Sequence, residues 1–329
     1  VSVAVCLLLY AAVVCVVAPR LLPPLTRRGS APGAAVAVWL IVLTSVLASW
    51  AAAAGALVVY VARTWTRPDP LAVRACFAAW RSAAAGQHGL GMQIGLWALT
   101  IVVGALTVTL AARVGRSLLR ARASSRRHAR SAQIVGRRVA GVDGLVVDAP
   151  QKMAYCLGGR PGTIVITSAA IATLEPPHLD AVLAHERAHL AGRHHLLLAA
   201  TRALAASLWR IRLFTVAEKE IAELLEMCAD DTAARRHGTA PLLAAILALA
   251  GADPIPLAAL GANTVGVCAR VIRLADPDTA GARVRARLLL AAVSAVVVLG
   301  PFVVWAAVHG FTPNGLTPHS PLACGPFTA

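Results

Sequence analysis

Four long apolar runs organise the chain: Val1 to Ala18, a stretch within Ala34 to Ala62, Ile94 to Ala112, and Leu288 to Val308. Each approaches or exceeds the length that an α-helix needs to cross a bilayer core. Val1 to Ala18 lacks the charged leading segment of a signal peptide and is expected to be a true span. Pro301 falls inside the fourth run, where a kink is expected. Leu196 to Trp209 is also apolar, but it is short and carries Arg202, which predicts a core or membrane-surface helix.

Between the third and fourth runs the pattern changes. Gly141 to Thr167 alternates Val, Ile and Leu with Gly, Asp and Pro, which predicts short strands at Leu145–Val147, Ala154–Leu157 and Ile164–Thr167. Glu175-Pro176-Pro177 marks a stop and a new start, since proline is tolerated in the first helical turn. Leu179 to Leu190 then has helical periodicity. Glu218 to Arg236 contains no Gly or Pro and predicts a second helix. Further helices are expected near Pro241–Ala250 and Val265–Leu274, before an Asp276-Pro277-Asp278 turn. One strand should form a sheet edge beside the first of these helices, with Tyr155 as a core aromatic.

Composition strengthens the membrane reading. Hydrophobic residues make up 58% of the chain, and the mean hydropathy is +0.70. Both exceed the usual values for a soluble domain. The formal net charge is +16, which by itself admits nucleic-acid binding. The arginines, however, flank the apolar runs, as the positive-inside rule requires, so no direct nucleic-acid binding is expected. Nine lie between the third run and the strands (113, 116, 120, 122, 126, 127, 130, 137 and 138), and Arg283, Arg287 and Arg285 precede the fourth run. The segment after Val308 has neither Lys nor Arg. This asymmetry places the middle domain in the cytoplasm and both termini outside. The loop bearing Arg63, Arg67, Arg74 and Arg81 is a mild dissent. The seven cysteines include no C-x-x-C pair, which argues against a cysteine-based metal or redox motif. With this topology Cys76 and Cys324 fall on the oxidising side and are candidate disulfide partners, with two free thiols as the equal alternative.

The sharpest chemical signal is His185-Glu186-Arg187-Ala188-His189, an H-E-x-x-H motif inside the Leu179–Leu190 helical segment. Positions i and i+4 share one helix face, so both imidazoles can reach one Zn²⁺ while Glu186 serves as the general base. A solvated helix face carrying two His and a Glu is the bland alternative. Two residues compete to be the third ligand. Glu226 precedes Asp230 by four residues on the second helix, so Asp230 can accept the free ring N–H of a ligating histidine. His195 instead completes H-E-x-x-H-x-x-G-x-x-H through Gly192, but that pattern also wants a Met-turn, and the only later methionine is Met227.

Leu183 to Leu190, followed by Glu226-x-x-Ala229-Asp230, resembles the gluzincin membrane peptidases. These include the HtpX and CAAX-prenyl-protease type and the BlaR/MecR-type integral-membrane metallopeptidases. Tyr155 to Gly159 and Ile164 to Ser168 are similar to the strands that precede the zinc helix there. The resemblance implies an α-helical integral membrane protein with a mainly α, small β cytoplasmic zincin-like metallopeptidase domain. Three spans (about 1–18, 34–62 and 94–112) would occupy residues 1–112. An Arg-rich linker (113–138), the peptidase domain (139–287), a fourth span (288–308) and a short outer tail (309–329) would follow. A tail of that length would be too short to hold the penicillin-binding sensor domain of BlaR/MecR-type receptors, so none is expected.

The implied activity is zinc-dependent endopeptidase action on cytoplasmic or membrane-associated protein or peptide substrates, with one Zn²⁺ and the lipid bilayer as partners. Its role would be regulatory or in quality control. One alternative is a signal-transducing protease that cleaves a transcriptional repressor. Another is a non-enzymatic membrane scaffold that uses the Arg-rich stretch.

Overall fold

The computed structural model describes residues 2–66, 90–139, 144–159, 162–250 and 266–310. Four long helices carry the apolar runs: α1 (Ser2–Thr26), α2 (Pro32–Thr66), α3 (Leu90–Val135) and α10 (Ala280–Gly310). All four are long and apolar enough to cross a membrane. Leu9, Val13, Ile101, Leu106, Val108, Val296 and Phe302 are exposed on their outer faces, an apolar surface of a kind that water-soluble monomers rarely present.

The buried centre of this bundle is α2. Trp39, Val42 and Val46 pack with Ala11 and Leu22 of α1 and with Leu290 of α10. One polar contact inside the bundle follows from backbone chemistry. Pro301 lies within α10 and has no N–H to give to the carbonyl of Val297, one helical turn earlier. The Tyr10 hydroxyl donates to that carbonyl at 2.7 Å and contacts Ser45 Oγ of α2 at 2.8 Å. Gly300 makes room for the tyrosine, because a Cβ there would lie 2.7 Å from its ring. The proline's lost hydrogen bond thus becomes a tie between three helices.

The third helix does not stop where its apolar run stops. It continues through the arginine-rich segment to Val135 as one 46-residue helix. The stretch expected as a linker is therefore helical, and its end belongs to the domain that follows. Ala132 packs against Leu145 and Val165 of the sheet. Gly136 then turns the chain where a Cβ would meet the Ala132 carbonyl at 2.6 Å, and Arg137 and Val146 exchange two backbone hydrogen bonds of 2.9 Å.

The sheet has three strands, β1 (Leu145–Val147), β2 (Ala154–Leu157) and β3 (Thr163–Thr167), in the order β1-β3-β2. The central strand β3 runs parallel to β1 and antiparallel to β2, which leaves β2 as an edge. Period-2 alternation divides the side chains between two faces. Leu145, Val165, Tyr155 and Leu157 turn toward α3, with Tyr155 a partly buried aromatic packed against that small core. Val146, Ile166 and Ala154 turn toward the short helix α4 (Ser168–Thr173), α5 (Pro176–Ala191) and α8 (Thr239–Ala250).

Helices α6 (His194–Ser207), α7 (Arg212–His237) and α9 (Val267–Ala275) complete the domain. The apolar 196–209 segment forms α6. Its Leu197, Leu198 and Leu204 join the main core, and Arg202 pairs with Glu218 of α7 at 3.5 Å. One face of α7 (Leu213, Phe214, Ala217, Ile221 and Leu224) is buried in the same core as α1 and α2. The acidic run along α7 disperses: Glu218 meets Arg202, while Glu220 is buried and accepts from Arg27 Nε at 2.9 Å and Thr26 Oγ1 at 3.3 Å. Cys76 and Cys324 lie outside the described residues.

The Tyr10 tie generates a stability prediction. Tyr10→Phe should cost about 1–3 kcal/mol, because it leaves the Val297 carbonyl without a donor away from water. In a Pro301→Ala background, where the helical N–H is restored, the same change should cost much less. Thermal unfolding of the two single variants and the double variant in detergent measures this coupling.

Candidate metal centre

Two helices build the site. Pro176 and Pro177 open α5 at positions where no N–H is required, and the helix runs to Ala191 with Ala181 to Glu186, Ala188 and His189 buried. Its partner is the second half of α7. Small residues meet at the crossing, where Ala181 and Ala184 of α5 pack with Ala233 of α7. Alanine at these positions lets the two backbones approach closely. That brings His185 and His189 of one helix against Glu226 and Asp230 of the other.

His185, His189 and Glu226 each offer one ligand atom, and the three atoms lie within 4.8 Å of one another. The imidazole Nε2 atoms are 3.1 Å apart, and each lies 3.5 Å from a Glu226 carboxylate oxygen. A tetrahedral centre with ligand bonds of ~2.0–2.1 Å needs ligand-to-ligand separations of roughly 3.3–3.4 Å. The observed spacing fits a metal ion held by these three groups. The donor set, two imidazoles and a carboxylate, suits zinc.

Charge balance points the same way. Asp230 is fully buried and receives a two-pronged bond from Arg270 of α9, through Nε and Nη2 at 2.7 Å each. The third guanidinium nitrogen, Nη1, donates to Glu226 Oε2 at 3.1 Å. One arginine thus faces two carboxylates, and Glu186 adds a third carboxyl group nearby. A metal cation held by the histidines would add positive charge among these carboxyl groups. His185 Nδ1 lies 3.0 Å from Asp230 Oδ1, close enough for charge pairing although the ring is not aimed for a linear hydrogen bond.

The titration tendencies express these surroundings. Burial disfavours the charged form of His185, but the Asp230 and Glu226 carboxylates outweigh it and raise its pKa to about 9. His189 moves the opposite way, to about 4, because burial prevails over Glu226. Burial opposes ionisation of Glu226 and Asp230 too, yet His185 and Arg270, joined at Glu226 by His189, pull both carboxyls down to about 2. Glu186 is buried and pushed up to about 7, by burial first and then by Glu226. Its carboxyl borders the Cys156 thiol of the edge strand β2, which burial and Glu186 push up to about 12.

His195 is not brought to the triad. Its ring lies over Gly158, where a Cβ would fall 2.4 Å from the ring atoms. The neighbouring residue His194 is the one that reaches the site: its Nδ1 is 2.8 Å from His189 Nδ1. With His189 presenting Nε2 to a metal, its Nδ1–H donates to His194, which fixes the tautomer and orientation of the ring. Gly192 serves this contact. The left-handed backbone that turns the chain sits at Arg193, φ 50°, while Gly192 is right-handed. A Cβ at Gly192 would lie 2.3 Å from His194 Nε2, so the glycine supplies space rather than a turn.

Neither Arg270 nor His194 is evident from motif spacing. The available hints are an arginine buried within the apolar stretch Val267 to Leu274 and a second histidine beside the one that completes the longer motif.

Fold and site together define a mainly helical protein that carries a metallopeptidase-type domain on a bundle of apolar helices. Residues 119–251 match peptidase family M48, which supports an M48-type metallopeptidase. The matched stretch begins within α3 and contains the sheet, α5 and α7. It covers well under half of the chain, and Arg270 lies beyond it. No curated protein and no solved structure matches the chain significantly.

Two outcomes follow from this geometry. Arg270→Ala should destabilise the fold by about 3–5 kcal/mol, because it leaves the fully buried Asp230 without its main counter-charge; thermal unfolding of the metal-free protein measures it. His194→Ala should weaken metal binding by roughly 10–100-fold, the usual effect of removing the partner of a ligating histidine. Competition with a fluorescent zinc chelator is the check, and Gly192→Ala should shift it in the same direction.

Proposed function

We propose that this chain is an integral-membrane zinc endopeptidase. His185, His189 and Glu226 hold the ion, and Glu186 moves the proton. The observation that carries the reading is the convergence of the three ligand atoms within 4.8 Å of one another, near the separations of a tetrahedral zinc, with a buried glutamate one residue along the same helix. When bound, zinc acts as a Lewis acid that acidifies water and polarises a carbonyl.

The chain's own residues do the rest. The Glu186 carboxylate takes a proton from the attacking water, and the resulting hydroxide oxygen bonds to the carbonyl carbon. As the C–N bond breaks, Glu186 returns the proton to the leaving amine. Asp230 orients His185, His194 orients His189, and Arg270 holds Glu226 and Asp230 in register. The edge strand β2 packs against α5, so a peptide substrate that adds to that edge by main-chain hydrogen bonds lies alongside the site.

The arginine distribution and the four apolar helices support a cytoplasmic catalytic domain in a multi-pass membrane protein, with both termini outside. One feature favours the signal-transducing alternative. The helix that carries Glu226 and Asp230 buries its other half against α1 and α2. A displacement of those spans therefore reaches the ligands through a single rigid element. In that reading the substrate is a soluble regulator such as a transcriptional repressor.

Variants separate these readings. Glu186→Gln should keep the metal and lose the proteolysis that wild type shows on a casein or peptide substrate; retained activity would remove Glu186 as the base, and no activity in wild type would leave the scaffold reading. Glu226→Ala should lose the metal, and His195→Ala should keep it. The reverse pattern would make His195 the third ligand.

Topology has its own measurement. Reporter fusions after Arg138 and after Val308 should report opposite sides of the membrane, and finding both on one side would remove the four-span arrangement.

A further inference from the structure

A second concave site lies on the far face of α7 from the metal ligands. It is a cleft of about 520 Å³ between the first turn of α2, α7, the end of α9 and the first turns of α10. Four guanidiniums line it, those of Arg235, Arg273, Arg283 and Arg287, together with two carboxylates, Asp231 and Asp278. Both carboxylates already have partners. Asp231 accepts from Arg273, whose Nε donates to the Gly29 carbonyl at 2.8 Å, and Asp278 accepts from the Ser30 hydroxyl. Among the described residues Arg235 meets a neutral partner, Thr232 Oγ1, at 3.0 Å, and no carboxylate. Arg283 and Arg287 have no carboxylate partner among the described residues. Four guanidiniums against two carboxylates leave the cleft with a net charge of +2, since Arg273 pairs with Asp231 and Asp278 offsets one of the other three.

Two of the apolar helices start at this cleft, with their hydrophobic stretches running Pro32–Ala56 and Ala280–Val303. If those helices span a bilayer, the cleft lies where hydrocarbon gives way to headgroups. The first-turn N–H groups of α2 add donors on the same side.

We propose that this cleft binds a phosphate-bearing anion through Arg235, Arg283 and Arg287, supplied by an anionic phospholipid headgroup or by soluble phosphate. The location rests on the membrane reading above; the charge argument does not. Arg273 and Leu274 line the cleft, while Arg270 of the same short helix holds Asp230 and Glu226. An anion in the cleft therefore touches the element that braces the metal ligands.

The test uses the full chain purified in detergent, with native mass spectrometry after addition of phosphatidylglycerol or phosphatidylcholine. Wild type should retain phosphatidylglycerol in preference. The double variant Arg283→Gln, Arg287→Gln should bind it roughly thirtyfold more weakly, at about fivefold per arginine beside an anionic surface. Arg285→Gln, on the same turn but outside the cleft, should bind as wild type does.

A second arm dialyses radiolabelled inorganic phosphate against the protein in lipid-free detergent. Phosphate held by wild type and lost by the double variant assigns the site to a soluble anion. Phosphatidylglycerol binding without phosphate binding assigns it to a lipid. Absence of both, or an equal loss with Arg285→Gln, overturns the proposal. Carbonate extraction of membranes keeps the two readings apart. A chain that washes off defeats the membrane reading and leaves the phosphate arm decisive, whereas a chain that stays and binds neither probe defeats this proposal alone.

Discussion

Asp230 is a carboxylate with no solvent exposure, and much of the domain is arranged so that it can remain charged. A lone buried carboxylate is costly, and the cost is met only by close, well-aligned partners. Arg270 supplies two charge-assisted hydrogen bonds from α9, and His185 is a second charged neighbour from α5. The requirement therefore fixes three helices at once. It also sets the position of Glu226, one turn earlier on α7, because the same guanidinium reaches it. The candidate metal centre is the part of this charge network that is open to solvent: Glu226 keeps 30% of its side-chain surface accessible, while Asp230 keeps none.

Much of this was legible in the chain, and the reason is locality. The i, i+4 spacing of His185 and His189, and of Glu226 and Asp230, places each pair on one helix face whatever the rest of the protein does. Strands β1 and β2 follow from alternation over a few residues, and the apolar helices from length alone. The structure extends α3 well past its apolar run because residues such as Ala132 find a sheet to pack on. That sheet surface exists only after folding, so an arginine-rich sequence with no apolar period gives no local sign of it.

The features that escaped the sequence are long-range or depend on small displacements. Arg270 lies 40 residues from Asp230 along the chain, across a stretch with no motif to connect them. His194 and His195 are adjacent, and both are reachable from a pattern that counts residues after His189. The choice between them is made by backbone geometry: the left-handed turn falls at Arg193 rather than at Gly192, and this rotates one imidazole toward the site and the next toward Gly158. Glycine at 192 and at 158 is then explained by the rings that lie against each, not by torsional freedom.

A structural consequence concerns how the bundle and the metal centre share material. Helix α7 is a continuous 26-residue rod, with Leu213 to Leu224 set among the apolar helices and Glu226 to Ala233 set against α5. Arg27, at the end of the first apolar helix, is held to it by the buried Glu220, and Gly29 is held to α9 by Arg273. The short turn between α1 and α2 is thus fastened to both helices that carry or brace the ligands. Packed interiors pass on displacement rather than absorb it. Glu220, which holds the end of α1 through Arg27 and Thr26, lies on the same helix as Glu226. The contacts that hold the apolar helices to the domain thus lie on the helix that carries Glu226 and Asp230 and on the one that braces them.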